Sequence, residues 1–216
     1  MILLEDVSKF YEVRGRAKRW VLRDTTAVIR PGDRLGILGR NGSGKSTLMR
    51  LLGGVEYPSR GRIERRMSVS WPLAHGIGVH SSLTGADNAR FVARIYEKPV
   101  EEMVEAVEDF AELGDYMYMP VGTYSAGMMS RLLLGLSLAM DFDCYLIDEA
   151  TSVGDQRFME RTQHILETRL RSRALVMVSH QPWHIRTFCE TAAILHEGRL
   201  TFFEELDEAI ATYEAL

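Results

Sequence analysis

"GRNGSGKST", residues 39–47, decides the fold. It fits G-x-x-x-x-G-K-[ST] and lies between an apolar run, "RLGIL" at 34–38, and a helix-like run, "TLMRLLGG" at 47–54. A strand, a glycine-rich loop and a helix in that order make a phosphate cradle. Glycines let the backbone curl until its N–H groups converge on an anion. The following helix adds its positive N-terminal end. The candidate nucleotide contacts are therefore Gly39, Arg40, Asn41, Gly42, Ser43, Gly44, Lys45, Ser46 and Thr47. Lys45 supplies a point charge to the β- and γ-phosphates, and Ser46 offers a hydroxyl to Mg²⁺.

Further along, "CYLIDE" at 144–149 reads as a core strand with acids at its end. Alone, two acids at a strand end say little. With a phosphate loop upstream, Asp148 sits where open α/β sheets bind ligands and can hold Mg²⁺ through water. Glu149 is then placed to orient or deprotonate an attacking water. "VMVSH" at 176–180 is a second apolar strand, and it brings His180 to the same edge. The catalytic candidates are thus Lys45, Glu149 and His180; the metal candidates are Ser46 and Asp148. His180 and His184 have half the spacing of a zinc site, but Pro182 lies between them and no acid or cysteine ligand is near.

The chain has 216 residues, enough for one large domain or two small ones. Its net charge of −4 supplies no overall basic field, which argues against nucleic acid as a partner. Two local basic clusters, Arg14, Arg16, Lys18 and Arg19, then Arg60, Arg62, Arg65 and Arg66, read as solvated loop or edge residues. Cys144 and Cys189 make no disulfide framework, so a reducing compartment is expected. The N-terminus lacks the pattern of a secretory signal. The longest apolar run, "LLLGLSLAM" at 132–140, is far short of the ~20 residues that span a bilayer. If the protein works at a membrane, another chain supplies the span.

The organisation follows from periodicity. "ILLEDV" and "VLRDTTAVIR" read as N-terminal strands, and "RPGD" at 30–33 as a turn. "EEMVEAVEDFAEL" places Met103, Val107, Phe110 and Ala111 on one helical face, and "SAGMMSRLLLGLSLAM" is apolar nearly all round, as in a buried helix. "QRFMERTQHILETRL" puts Phe158, Thr162, Ile165 and Leu166 on one stripe, between the strands "CYLID" and "ALVMVS"; "AAILHEG" is a further strand. Strands alternating with helices imply a parallel sheet covered on both faces. The expected fold class is α/β, a P-loop NTPase. Its core sheet is mostly parallel, with an N-terminal antiparallel β-subdomain and an inserted α-helical subdomain at about residues 84–140.

The order of phosphate loop, helical middle, "YSAGMMSR", "CYLIDE", "SVGD" and "VSH" resembles the ATPase subunits of ABC transporters over nearly the whole chain. The resemblance implies ATP and Mg²⁺. "SAGMM" departs from the family's LSGGQ, but Ser125 and Gly127 keep its first Ser and second Gly. In the family these grip the γ-phosphate of ATP held by the opposite subunit, so a homodimer is implied in the ATP-bound state. Tyr11 would stack on adenine, with the adjacent Phe10 as a competitor, and Asp155 in "SVGD" would be the D-loop aspartate. The family usually has a glutamine between the phosphate loop and the helical subdomain. This chain has no glutamine between Lys45 and Asp155, leaving His75 or His80 as its replacement and implying slow or tuned catalysis.

"SWPLAHGIGVHSSLTGADNARF" at 70–91, with "YSAGM" and "CYLIDE", narrows the resemblance to the ATPases of capsular polysaccharide exporters. Related subunits export O-antigen and teichoic acid, and some carry a C-terminal sugar-binding domain. Ending at Leu216, this chain is expected to lack one. The implied protein binds and hydrolyses ATP at the cytoplasmic face of the bacterial inner membrane. ATP-driven dimer closure would power a polytopic permease, which handles most of the polysaccharide cargo. Residues 70–85, without helix or strand period, would meet that permease. Another exported cargo (O-antigen, teichoic acid or lipid) and a nucleotide-binding switch with little turnover stay open as alternatives.

Overall fold

The computed structural model describes residues 1–216 apart from 13, 16, 73–78, 149–155, 169 and 180. The chain divides into two compact units, one of residues 1–72, 142–149 and 164–216, the other of 73–141 and 150–163.

The first unit carries the strands β1 (Ile2–Tyr11), β2 (Arg19–Ile29), β3 (Arg34–Leu38), β4 (Arg60–Arg65), β5 (Cys144–Ile147), β6 (Ala174–Val178), β7 (Thr191–His196) and β8 (Arg199–Phe203). They form an antiparallel sheet in the order β2-β1-β4 and a five-stranded sheet in the order β5-β6-β3-β7-β8. The larger sheet is parallel except for β8, which pairs antiparallel with β7. Every residue of β3, β5 and β6 is buried, as expected of strands covered on both faces. In β1 the buried apolar side chains are Ile2, Leu4 and Val7. The alternation skips one residue because the register shifts between Leu4 and Val7, where Asp6 takes φ 47°. Such a bulge returns the apolar side chains to the core face.

β4 is not announced by its sequence. "RGRIER" reads as a solvated charge cluster, yet its main chain pairs with β1 from Ser8↔Arg60 to Ile2↔Arg65. Two exposed arginines pair with acids, Arg62 with Glu5 and Arg66, just past the strand, with Glu64. One core joins the two sheets: Ile2, Leu4 and Val7 cluster with Leu35, Ile37, Leu146, Val176 and Leu195. Helix α1 (Lys45–Leu52) sinks Leu48, Met49, Leu51 and Leu52 into the same core.

The second unit is helical, with α2 (Gly85–Ile95), α3 (Val100–Ala111) and α4 (Ala126–Ala139). α2 starts at Thr84, whose hydroxyl accepts from Asp87 N–H at 3.0 Å, a side-chain cap on a free helix donor. Met103, Val107, Phe110 and Ala111 of α3 are all buried, and Leu132–Leu138 of α4 are buried on every side. α5 (Gln156–Thr168) begins in this unit, with Phe158 packed 5.2 Å from Phe110. α6 (Pro182–Phe188) and α7 (Leu206–Glu214) return to the first unit. Among the described residues, no helix is long and apolar enough to cross a membrane.

Candidate functional site

β3 runs to Leu38, and the loop from Gly39 turns into α1 at Gly44. Gly42 and Gly44 hold φ 80° and 112°, where L side chains are strained. Space is closed as well: a Cβ on Gly44 would lie 2.2 Å from Val21 Cγ1, and one on Gly39 2.7 Å from Leu195 O. Only glycine lets the loop pass this close to β2 and β7. Ser43 Oγ is buried and, among the described residues, has no hydrogen-bond partner.

Lys45, the first residue of α1, is buried beneath the loop. Its Nζ donates to Gly39 O at 2.6 Å and Arg40 O at 3.2 Å. Burial pushes its pKa below the ordinary 10.5, with Asp148 acting in the opposite direction. Ser46 Oγ donates to Asp148 Oδ2 at 3.3 Å. Asp148 follows β5 directly and is itself buried, so the strand order β5-β6-β3 carries a carboxylate from late in the chain to the loop. A hydroxyl and a carboxylate together are the hard oxygen donors that suit Mg²⁺.

A cleft of about 590 Å³ opens over the loop, and its walls include Tyr11, Arg19, Val21 and Arg50. The two aromatic residues of "KFY" part company. Tyr11 lines the cleft, whereas Phe10 packs 5.0 Å from Trp20 with the Lys18 ammonium 4.1 Å over its ring.

In the second unit, Ser125 caps α4, its Oγ accepting from Met128 N–H at 3.3 Å, and Gly127 lies in the first turn. A Cβ on Gly127 would meet only Ser125 Oγ, at 3.9 Å, so this helix start is open. His80 is anchored to α2: its N–H donates to Asn88 Oδ1 at 2.8 Å, and its Nδ1 lies 2.8 Å from Ser82 Oγ. His75, Glu149, Asp155 and His180 lie outside the described residues.

The family model described as "ABC transporter" matches residues 22–152, more than half of the chain. The chain belongs to the ABC transporter family. It is 46% identical over 216 residues to the capsule polysaccharide export ATP-binding protein CtrD of Neisseria meningitidis serogroup B, covering all of both chains. It is 45% identical to the ATP-binding protein BexA of Haemophilus influenzae, covering 99% of this chain and 98% of that one. A more distant relative, the teichoic acids export ATP-binding protein TagH of Staphylococcus epidermidis, is 36% identical over 91% of this chain and 75% of its own. In structure, the chain superposes on the ATP-binding cassette of a dimeric post-hydrolysis state bound to ADP and Pi. The TM-score is 0.78 at 21% identity, covering 93% of this chain and 96% of that one. The α/β P-loop NTPase fold expected from the sequence is the one observed.

Two residues of this cleft, and one that caps its helix, were not visible in the motifs. Arg19 belongs to a basic cluster read as solvated, yet it lines the cleft beside Asn41 and Gly42. Arg50, one residue of an amphipathic helix, reaches Thr47 Oγ1 at 3.1 Å and the Tyr11 hydroxyl at 3.4 Å. Arg65 is half-buried and turns toward α1. It donates to Leu52 O at 2.7 Å and to Leu51 O, capping the C-terminal carbonyls of α1. Only the pairing of β4 against β1 could have shown that.

Proposed function

We propose that this chain is the ATP-binding and ATP-hydrolysing subunit of an exporter of capsular polysaccharide. One observation carries the reading: end-to-end identity of 46% to a capsule polysaccharide export ATP-binding protein, in a chain whose phosphate loop is closed to all but glycine at Gly39 and Gly44.

The residues fit MgATP. Lys45 Nζ is held against the loop by the Gly39 and Arg40 carbonyls, which places its ammonium beside the position of the β- and γ-phosphates. The loop N–H groups and the start of α1 add fixed partial positive charge. Ser46 and Asp148 would hold Mg²⁺, which when bound neutralises charge on the phosphate oxygens. Tyr11 is assigned to the adenine ring. Glu149 is assigned to orient or deprotonate the attacking water, and His180 to the γ-phosphate edge of the site. Ser125 and Gly127 are assigned to the γ-phosphate held by a second copy, with Asp155 at the same dimer junction. Closure of this dimer would drive a polytopic permease at the cytoplasmic face of the bacterial inner membrane, and the permease would handle most of the glycan.

The test is a steady-state ATPase assay against protein concentration, with Glu149→Gln beside the wild type. A specific rate that rises with concentration and vanishes in Glu149→Gln is expected, and that variant should form an ATP-bound dimer. A variant that stays monomeric at saturating ATP overturns the shared site. For the cargo, deleting the gene should leave polysaccharide inside the cell; unchanged surface polysaccharide overturns that part.

A further inference from the structure

We propose that Glu56 is a positioning residue for nucleotide binding, holding Tyr11 in place as part of the cleft wall. The inference rests on the reading of Tyr11 as the adenine platform and adds what sets that platform.

Glu56 lies in the short connection "VEYPS" between α1 and β4, outside every nucleotide motif. Its carboxylate is approached by three donors. The Tyr11 hydroxyl donates to Oε1 at 2.7 Å, Lys9 Nζ lies 2.8 Å from the same oxygen, and Arg50 Nε donates to Oε2 at 3.2 Å. Arg50 also reaches the Tyr11 hydroxyl and Thr47 Oγ1. Lys9 lies 5.1 Å from the centroid of the Tyr11 ring. One carboxylate therefore joins the end of β1 to α1, and two of its three donors, Tyr11 and Arg50, line the cleft. Burial raises the Glu56 carboxyl, but the hydrogen bonds from Lys9, Tyr11 and Arg50 outweigh it and leave the group below the usual carboxylate range.

A purely structural role, fastening this connection to β1, is already filled by Ser59. Ser59 N–H donates to Ser8 O at 2.8 Å, Phe10 N–H donates to Ser59 Oγ at 3.2 Å, and that hydroxyl donates to Phe10 O at 3.2 Å. What Glu56 adds is the fixing of the Tyr11 ring. A ring fixed before the base arrives loses less freedom on binding, and one immobilised side chain is worth roughly a 3- to 10-fold change in affinity.

The test measures equilibrium binding of MgATP to the purified chain by calorimetry, with thermal midpoints as a folding control. Glu56→Ala should weaken binding roughly 3- to 10-fold. Glu56→Gln, whose amide oxygen still accepts from the Tyr11 hydroxyl, should recover most of that loss. Tyr11→Phe keeps the ring but cuts the tie, so it should weaken binding similarly. Adding Glu56→Ala to Tyr11→Phe should then cost little more, the mark of two residues acting through one contact. Additive losses, or wild-type affinity in Glu56→Ala and Tyr11→Phe while Tyr11→Ala binds weakly, overturn the positioning role alone. If Tyr11→Ala also binds normally, the adenine platform itself is wrong and the inference falls with it.

Discussion

Gly44→Ala puts the phosphate loop to a quantitative test. Gly44 caps α1 at φ 112° and ψ 11°. A left-handed backbone costs an L-residue about 1–2 kcal/mol. The new methyl would also stand 2.2 Å from Val21 Cγ1 and 3.2 Å from Val21 O. Val21 is a buried side chain of β2, so relief needs a shift of α1 or of the strand. Overpacking of that kind costs about 1–3 kcal/mol. The total is about 2–5 kcal/mol, and at ~2–4 °C per kcal/mol for a chain of this size the thermal midpoint should fall by about 4–20 °C. The two contributions separate in a Val21→Ala background. There the overlap with Cγ1 is gone and only the 3.2 Å approach to Val21 O remains, so Gly44→Ala should cost little more than the backbone share, about 1–2 kcal/mol. The assay is urea or thermal unfolding of the four proteins, with MgATP binding measured alongside. An equal loss in both backgrounds refutes the clash with Val21. Wild-type stability and affinity in Gly44→Ala would refute the loop geometry itself.

Lys45 gives a pH signature: its lowered pKa means that kcat/KM for ATP should fall on the acid side of 10.5. Over that same window the unfolded chain keeps the proton longer than the folded one, so the contribution of Lys45 to stability rises with pH while affinity falls. A parallel loss of both would point to alkaline unfolding instead. Lys45→Ala should abolish tight MgATP binding, and unchanged affinity in a calorimetric titration rejects the site. Arg65→Ala should lower stability by about 1–3 kcal/mol by uncapping the Leu51 and Leu52 carbonyls, with the nucleotide site nearly unaffected; an unchanged urea midpoint counts against the cap. Alanine at His75 or at His80 should slow turnover in one of the two variants, and wild-type ATPase rates in both remove histidine as the substitute for glutamine.

What the sequence determined by itself was whatever lies within one turn or one strand. Glycine at 39, 42 and 44, a lysine at the head of a helix, and apolar runs ending in Asp148 and His180 are local patterns, and local sterics and periodicity make them readable. The faces of α3 and α5 were legible for the same reason: Met103, Val107 and Phe110 in one, and Phe158, Thr162 and Leu166 in the other, recur at helical spacing and are buried. Tertiary structure alone decided which distant segments meet. The strand order β5-β6-β3-β7-β8 brings Asp148 to Ser46 across 102 residues, and no local preference encodes that pairing. Charged side chains were the least legible. Arg62 and Arg66 stay on a solvated face, while Arg65 from the same run caps a helix and Arg19 lines the cleft. Glu56 is fixed by Lys9, Tyr11 and Arg50, which come from two other elements. A long polar side chain can lie in water or on a neighbouring backbone at similar free energy, so its place is settled by what packs beside it.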